Sequence, residues 1–135
     1  MSLAPNIQQT LNNVAFNSAL SGRFTPQDRL LTEHEYSYVF ADPIKSADSC
    51  YTVLARRSQR TGPRLGVIVS KKNVAGATAR NRLKRIVRES FRQHKINLPA
   101  FDVVVICKKN SARKINKKLF EQLQNHWKFL HNHAQ

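Results

Sequence analysis

Ala79, Leu83, Ile86, Val87 and Phe91 recur at a spacing that aligns them along one side of a helix over about residues 78–94. A helix with such a stripe has to lie on an apolar surface, so this segment constrains the fold more than any other. It sits in a stretch, residues 71–92, that reads KKNVAGATARNRLKRIVRESFR. Eight of those residues are basic and one, Glu89, is acidic. Arg80, Asn81, Lys84, Arg85, Arg88 and Arg92 fall on the side away from the stripe, and Arg82 also points away from Leu83, Ile86 and Val87. One face is therefore committed to a core and the other displays cations. Such cations repel one another unless a polyanion neutralises them, and a phosphate backbone is the natural candidate. A merely solvated face usually mixes both signs, which this one does not. Arginine outnumbers lysine here, and guanidinium groups bind phosphate bidentately.

The flanks of the helix read as strands. Phe101–Lys108 (FDVVVICK) is apolar on both faces, the mark of a central strand. Arg64–Lys71 alternates, with Leu65, Val67 and Val69 on one face and Ile68 and Ser70 on the other. Ser49–Arg56 is a third strand, and residues 41–48, with Pro43, form a loop or a short edge strand. Thr32 and Glu35 make a capping box before a short helix over about 33–40. Tyr36 and Phe40 lie one turn apart on it and share a face, either in the core or as platforms for base stacking. Asn116 caps a last helix over about 117–131, with Leu119, Leu123, Trp127 and Leu130 as its stripe. The order of elements predicts an α/β sandwich with one sheet backed by helices, a single domain over residues 23–131. Residues 1–22 carry no charged side chain and read as a flexible extension, and residues 132–135 as a disordered tail.

The formal charge of +15 is unevenly spread. Residues 1–50 carry three basic and five acidic side chains, and residues 51–135 carry twenty and three. That asymmetry argues for a nucleic-acid partner over an acidic protein. The apolar stripe of the basic helix has only aliphatic residues and Phe91, with no Trp, so no membrane partner is expected, and no small-molecule substrate either. No signal peptide or spanning segment is visible, so a cytoplasmic protein is expected. Cys50 and Cys107 each sit by an apolar alternating run and are expected to be small buried hydrophobes. No catalytic or metal-ligating set is apparent. After residue 50 the acids are Glu89, Asp102 and Glu121, each isolated, with Glu89 suited to pair with Arg85 or Arg92. His126, His131 and His133 lie near the C-terminal end, and solvated positions are expected for the last two. No phosphate-cradling glycine loop and no zinc-ligand spacing occur.

The run of Arg64, Gly66, Ser70, Lys71 and Lys72, followed by Arg80-Asn81-Arg82-Leu83-Lys84-Arg85 and Arg88-Glu89-Ser90-Phe91-Arg92, resembles the protein subunit of bacterial ribonuclease P. The segment around Phe24 and Arg29-Leu30 and the strand FDVVVICKK belong to the same likeness, which covers about residues 24–130. It implies an α+β fold: a central sheet of about four strands with helices packed on it, and the basic RNR helix inside a left-handed β-α-β crossover. It implies two partners, the catalytic RNA of ribonuclease P and precursor tRNA. The RNA, with Mg²⁺, would hydrolyse the bond that joins the 5′ leader to the mature tRNA, and the protein would bind no cofactor itself. Lys71, Lys72, Arg80, Asn81, Arg82, Lys84, Arg85 and Arg88 match RNA-contacting positions, and Arg92 joins them on the helix. A cleft for the leader would be lined by Tyr36, Phe40, Thr52, Leu54, Ile68 and Ser70. Position 36 is Tyr where members often have Phe, and position 54 is Leu where some carry an aromatic, which leaves fewer stacking platforms. The rivals are another nucleic-acid-binding module, such as a ribosomal or DNA-binding protein, and a stand-alone nuclease.

Overall fold

The computed structural model describes residues 24–133; the expected extension over 1–22 lies outside them. Three helices, α1 (Glu33–Ala41), α2 (Ala77–His94) and α3 (Asn116–His133), pack on a sheet of four strands. The strands are β1 (Ile44–Ala47), β2 (Tyr51–Arg57), β3 (Arg64–Ile68) and β4 (Phe101–Cys107), in the order β1-β2-β4-β3. β1 and β2 pair antiparallel, as do β2 and β4, whereas β3 and β4 run parallel and are joined through α2. This is the α+β architecture expected, with the basic helix in a β-α-β unit.

Local chemistry sets the boundaries. Thr32 and Glu35 form the capping box: the Glu35 amide donates to Thr32 Oγ1 at 3.2 Å, and Glu35 Oε1 accepts from the Thr32 amide at 3.1 Å. The Leu31 and Thr32 amides, aided by Arg64, hold the Glu35 carboxyl below its ordinary pKa. β2 begins at Tyr51, two residues later than expected, because Asp48 Oδ1 accepts the amides of Cys50 and Tyr51 at 2.8 Å each and shapes a turn. β3 ends at Ile68 and does not run to Lys71, because Ser70 starts a turn in which its carbonyl accepts from Val74 at 2.9 Å. The edge strand considered for residues 41–48 is present as β1. α3 continues through His133, so residues 132 and 133 are helical and not part of a loose tail. His131 Nδ1 meets the Asn97 carbonyl at 2.8 Å, and the His133 ring lies 5.3 Å from that of Phe129.

The sheet is buried on both sides. On one, Tyr51, Val53 and Ala55 of β2, Leu65 of β3, and Phe101, Val103, Val105 and Cys107 of β4 meet the stripes of α2 and α3. Trp127 Nε1 donates to Ser90 Oγ at 2.8 Å and joins those two helices inside the core. On the other side Leu30, Val39, Leu54 and Val104 form a smaller cluster beneath α1. β4 is covered by both, as its doubly apolar sequence requires. Both cysteines are fully buried, as expected.

His126 is a buried residue of α3. It is 3% exposed, with Nε2 2.8 Å from Asp48 Oδ2 and Nδ1 2.7 Å from Ser46 Oγ, and so ties α3 to the β1–β2 turn. Burial lowers the His126 pKa below its ordinary value, opposed by Asp48 and reinforced by Lys108. Burial works to raise the Asp48 carboxyl, but the Tyr51 and Cys50 amides and His126 outweigh it and hold it low. For His126 the unfolded chain binds the proton more readily, so stability is full above about pH 6.5 and falls as pH drops through that value. Asp48 adds a further loss at lower pH, as pH falls through its depressed folded-state pKa. The melting temperature is therefore expected to decline between about pH 7 and pH 5. His126→Gln, melted over the same range, should flatten that limb; an unchanged profile would show that His126 is not its source.

Candidate nucleic-acid interface

α2 presents its cations where its geometry puts them. Gly76 precedes the helix, and no glycine or proline interrupts it. Leu83, Ile86, Val87, Ser90 and Phe91 are buried, so the opposite side faces outward. There Asn81, Lys84, Arg85, Arg88, Glu89 and Arg92, with Phe24, line an open recess of about 380 Å³. The Phe24 ring stands edge-on to Phe91, 6.0 Å between centres, and the Arg29 guanidinium lies 5.1 Å from the Phe24 centre. Arg92 pairs with Glu89 at 2.5 Å, one of the two partners expected for that acid, and this holds the Glu89 carboxyl below its ordinary pKa. Lys71 and Lys72 are exposed in the turn that leads into the helix.

Two of the expected RNA contacts have structural work as well. Arg80 Nη1 donates to the carbonyls of Val74 at 2.9 Å and Ala75 at 2.6 Å and so fixes the loop before α2. Arg82 does not simply point to solvent. Its Nε donates to Asn116 Oδ1 at 3.0 Å and its Nη2 to the Lys114 carbonyl at 2.6 Å, which anchors the start of α3. Asn116 is thus the first residue of α3 and an acceptor for Arg82. Each arginine keeps further N–H groups.

The second surface lies on the other side of the sheet, under and beside α1. Strand alternation and register place Thr52, Ile106 and Ile68 in one row, Leu54, Val104 and Gly66 in the next, and Arg56, Asp102 and Arg64 in a third. Thr52 and Ile68 are half-buried, and Ser70 is exposed two residues beyond β3. Leu54 belongs to the cluster beneath α1, so it is a floor and not an open platform. Tyr36 packs against that cluster and lies across Gly66. A Cβ at position 66 would be 2.5 Å from Tyr36 Oη and 2.6 Å from its ring carbons. Phe40, one turn on, is 45% exposed and is not a core residue. Burial raises the Tyr36 pKa, opposed by Arg88 and by a hydrogen bond with the Val67 amide.

Arg88 links the two surfaces. It is half-buried, and both Arg29 and Tyr36 act on it. Burial and the like charge of Arg29 pull its pKa below the ordinary value, with Tyr36 opposing. A cation held against another cation in a partly dry site is a strong acceptor of anions.

Several residues of these surfaces escaped the sequence reading. Arg64 donates to both Asp102 oxygens, at 2.9 and 2.8 Å, and to Glu35 at 2.9 Å. Asp102 is 2% exposed, and an acid in an apolar central strand does signal a buried cation partner. Tyr38 donates to the Arg57 carbonyl at 2.5 Å and carries the Arg56 guanidinium 4.0 Å from its ring centre. Nothing in the local sequence marks that pair.

Several groups that could do covalent chemistry are engaged elsewhere. Burial pushes the Cys107 thiol up to about 12, so it is not a thiolate at neutral pH. Asp28 pairs with Lys95 at 2.9 Å, Asp48 with His126, Asp102 with Arg64, and Glu89 with Arg92. Among the described residues no three His, Cys, Asp or Glu side chains converge as metal ligands. No helix among them is long and apolar enough to cross a membrane.

Known proteins resemble this chain in sequence and in fold. The family model described as Ribonuclease P matches residues 24–131. The ribonuclease P protein component of Salmonella arizonae is 43% identical over 105 residues, 78% of this chain and 88% of the relative. That of Pseudoalteromonas atlantica is 43% identical over 107 residues, 79% and 89%. The structure of the Thermotoga maritima ribonuclease P protein aligns with a TM-score of 0.67 at 34% identity, over 74% of this chain and 94% of that one. The Staphylococcus aureus protein aligns with a TM-score of 0.67 at 26% identity, over 80% and 95%. Sequence and architecture thus agree, and the chain belongs to the ribonuclease P protein family.

Proposed function

We propose that this protein is the RNA-binding subunit of a ribonuclease P ribonucleoprotein in the cytoplasm, and that it supplies binding and electrostatics while the RNA performs hydrolysis. The observation that carries this reading is the recess on the outer side of α2, where Asn81, Lys84, Arg85, Arg88 and Arg92 come together with Glu89 as the one acid. A positive surface beside an aromatic cleft suits two RNA segments at once. The α2 face, with Lys71, Lys72, Arg80, Asn81, Arg82, Lys84, Arg85, Arg88 and Arg92, would hold phosphates of the catalytic RNA. Such contacts position without reading sequence, as a partner serving every tRNA precursor needs. The cleft of Tyr36, Phe40, Thr52, Leu54, Ile68 and Ser70 would hold the single-stranded 5′ leader, with bases against Phe40 and the Tyr36 edge. Mg²⁺ would belong to the RNA and supply metal-assisted hydrolysis there. Asp28, Glu35, Asp48, Glu89 and Asp102 are committed to internal ion pairs, which supports leaving that chemistry to the RNA.

The test is cleavage of a tRNA precursor by the protein alone, by a bacterial ribonuclease P RNA alone, and by both at low Mg²⁺. The protein alone should cut nothing at any Mg²⁺ concentration, and the mixture should cut where the RNA alone is slow. Cleavage by the protein alone, lost on substitution of Glu89 or Asp102, would overturn this reading.

A further inference from the structure

A second cationic surface exists outside both of those described. Residues 108–118 read KKNSARKINKK: six cations and no acid. They form the connection from β4 to α3, with a 3-10 turn over Lys109–Arg113. The connection is built and not loose. Ser111 is fully buried, and its hydroxyl donates to the Lys108 carbonyl at 2.6 Å. Lys108 Nζ donates to the Asp48 carbonyl at 2.6 Å, and Arg82 of α2 holds Lys114 and Asn116 from the other side. On this fixed frame Lys109, Arg113, Lys117 and Lys118 are exposed. None of them takes part in the ion pairs among the described residues. Lys117 and Lys118 point away from the Leu119, Leu123, Trp127 and Leu130 stripe of α3. The nearest acid in sequence is Glu121, one turn further on.

We infer that residues 108–118 are a second phosphate-binding surface, which extends the footprint of the protein on the catalytic RNA beyond the α2 face. The inference rests on the proposed function. Its occupant follows from three features. Like charges at four exposed positions, with no acid between them, fit a chain of phosphates better than a single anion. No aromatic side chain lies among them, so backbone is bound and bases are not read. Arg82 joins the segment to the flank of α2 that faces α3, on the side of the sheet away from the α1 cleft. That location assigns it to the RNA held by α2 and not to the leader. Arg82 thereby acts as a strut that sets the spacing between the two cationic surfaces.

The test is a quadruple variant, Lys109→Gln, Arg113→Gln, Lys117→Gln and Lys118→Gln, compared with wild type and with Arg85→Gln/Arg88→Gln. Each is titrated with ribonuclease P RNA from about 0.05 to 0.2 M salt, and each is melted. The quadruple variant should melt as wild type does. Every phosphate contact it loses should lower the log–log salt slope by about 0.9 and weaken binding about eightfold at 0.1 M salt. Its preference for precursor over mature tRNA, in the assembled enzyme, should not change. Wild-type affinity and slope in the quadruple variant, with both reduced in the α2 variant, would overturn the inference and leave the proposed function standing. A lost preference for precursor would also overturn it, by moving the segment to the leader. Failure of the wild-type protein to bind the RNA would remove the proposed function, and the inference with it.

Discussion

Replacing Lys84, Arg85 and Arg88 together by glutamine is expected to weaken binding of the ribonuclease P RNA about 500-fold at 0.1 M salt and to lower the salt slope by about 2.7. The figures assume one phosphate per side chain, with affinity at 1 M salt unchanged. All three side chains line the recess floored by Phe24, and none belongs to the buried stripe of α2. The fold should therefore survive. Removing Arg88 also relieves its repulsion from Arg29, so the melting temperature should hold or rise slightly. Arg82→Ala should behave differently. It breaks hydrogen bonds to Lys114 and Asn116 and should cost about 1–2 kcal/mol of stability in addition to affinity. Salt-dependent binding and thermal melting on the same samples separate the two classes. If the triple variant melted early and Arg82→Ala did not, the assignment of faces on α2 would be wrong.

That contrast shows where the sequence could be read and where it could not. The stripe of α2 was legible because periodicity is local: Leu83, Ile86, Val87 and Phe91 are all buried, as their spacing requires. The same holds for β4, whose apolar run is covered by both clusters, and for the capping box of α1. Periodicity gives a side chain's direction but not what it reaches. Arg82 leaves α2 on the expected side and still finds acceptors more than thirty residues away. His126 reaches Ser46 and Asp48 across about eighty residues, and nothing in its local sequence marks those partners. Arg64 and Asp102 become neighbours only when β3 and β4 pair in parallel. The residues expected to line a cleft came from the family resemblance alone, and a list of them carries no packing. Their unequal roles, Phe40 exposed, Leu54 beneath α1 and Tyr36 wedged over Gly66, are set by packing between elements.

The wedge of Tyr36 over Gly66 gives the other large effect. A methyl group at position 66 would sit 2.5–2.6 Å from three atoms of Tyr36, too close for any contact, so the ring must move or β3 must shift. β3 is held by β4 on one side and by the Leu30–Leu65 hydrogen bond on the other, so the ring is the part that gives. Gly66→Ala should cost about 1–3 kcal/mol of stability, the usual range for overpacking. In a Tyr36→Ala background the obstacle is gone, and the same change should cost little. The non-additivity of this cycle should reach about 1–3 kcal/mol. Tyr36→Phe should not rescue it, because two of the three close atoms are ring carbons. The functional consequence follows from the same geometry. If Tyr36 and Phe40 form one stacking wall, displacing Tyr36 from Gly66 should weaken precursor binding and leave mature tRNA unaffected. Phe40→Ala should do the same by about 1–3 kcal/mol without lowering the melting temperature, since the ring is largely outside the core. Equal costs of Gly66→Ala in both backgrounds would show that the glycine serves some other need. Equal losses for precursor and mature tRNA on Phe40→Ala would place the leader elsewhere. The two measurements therefore test separately whether Tyr36 is locked and whether the locked wall is what the leader meets.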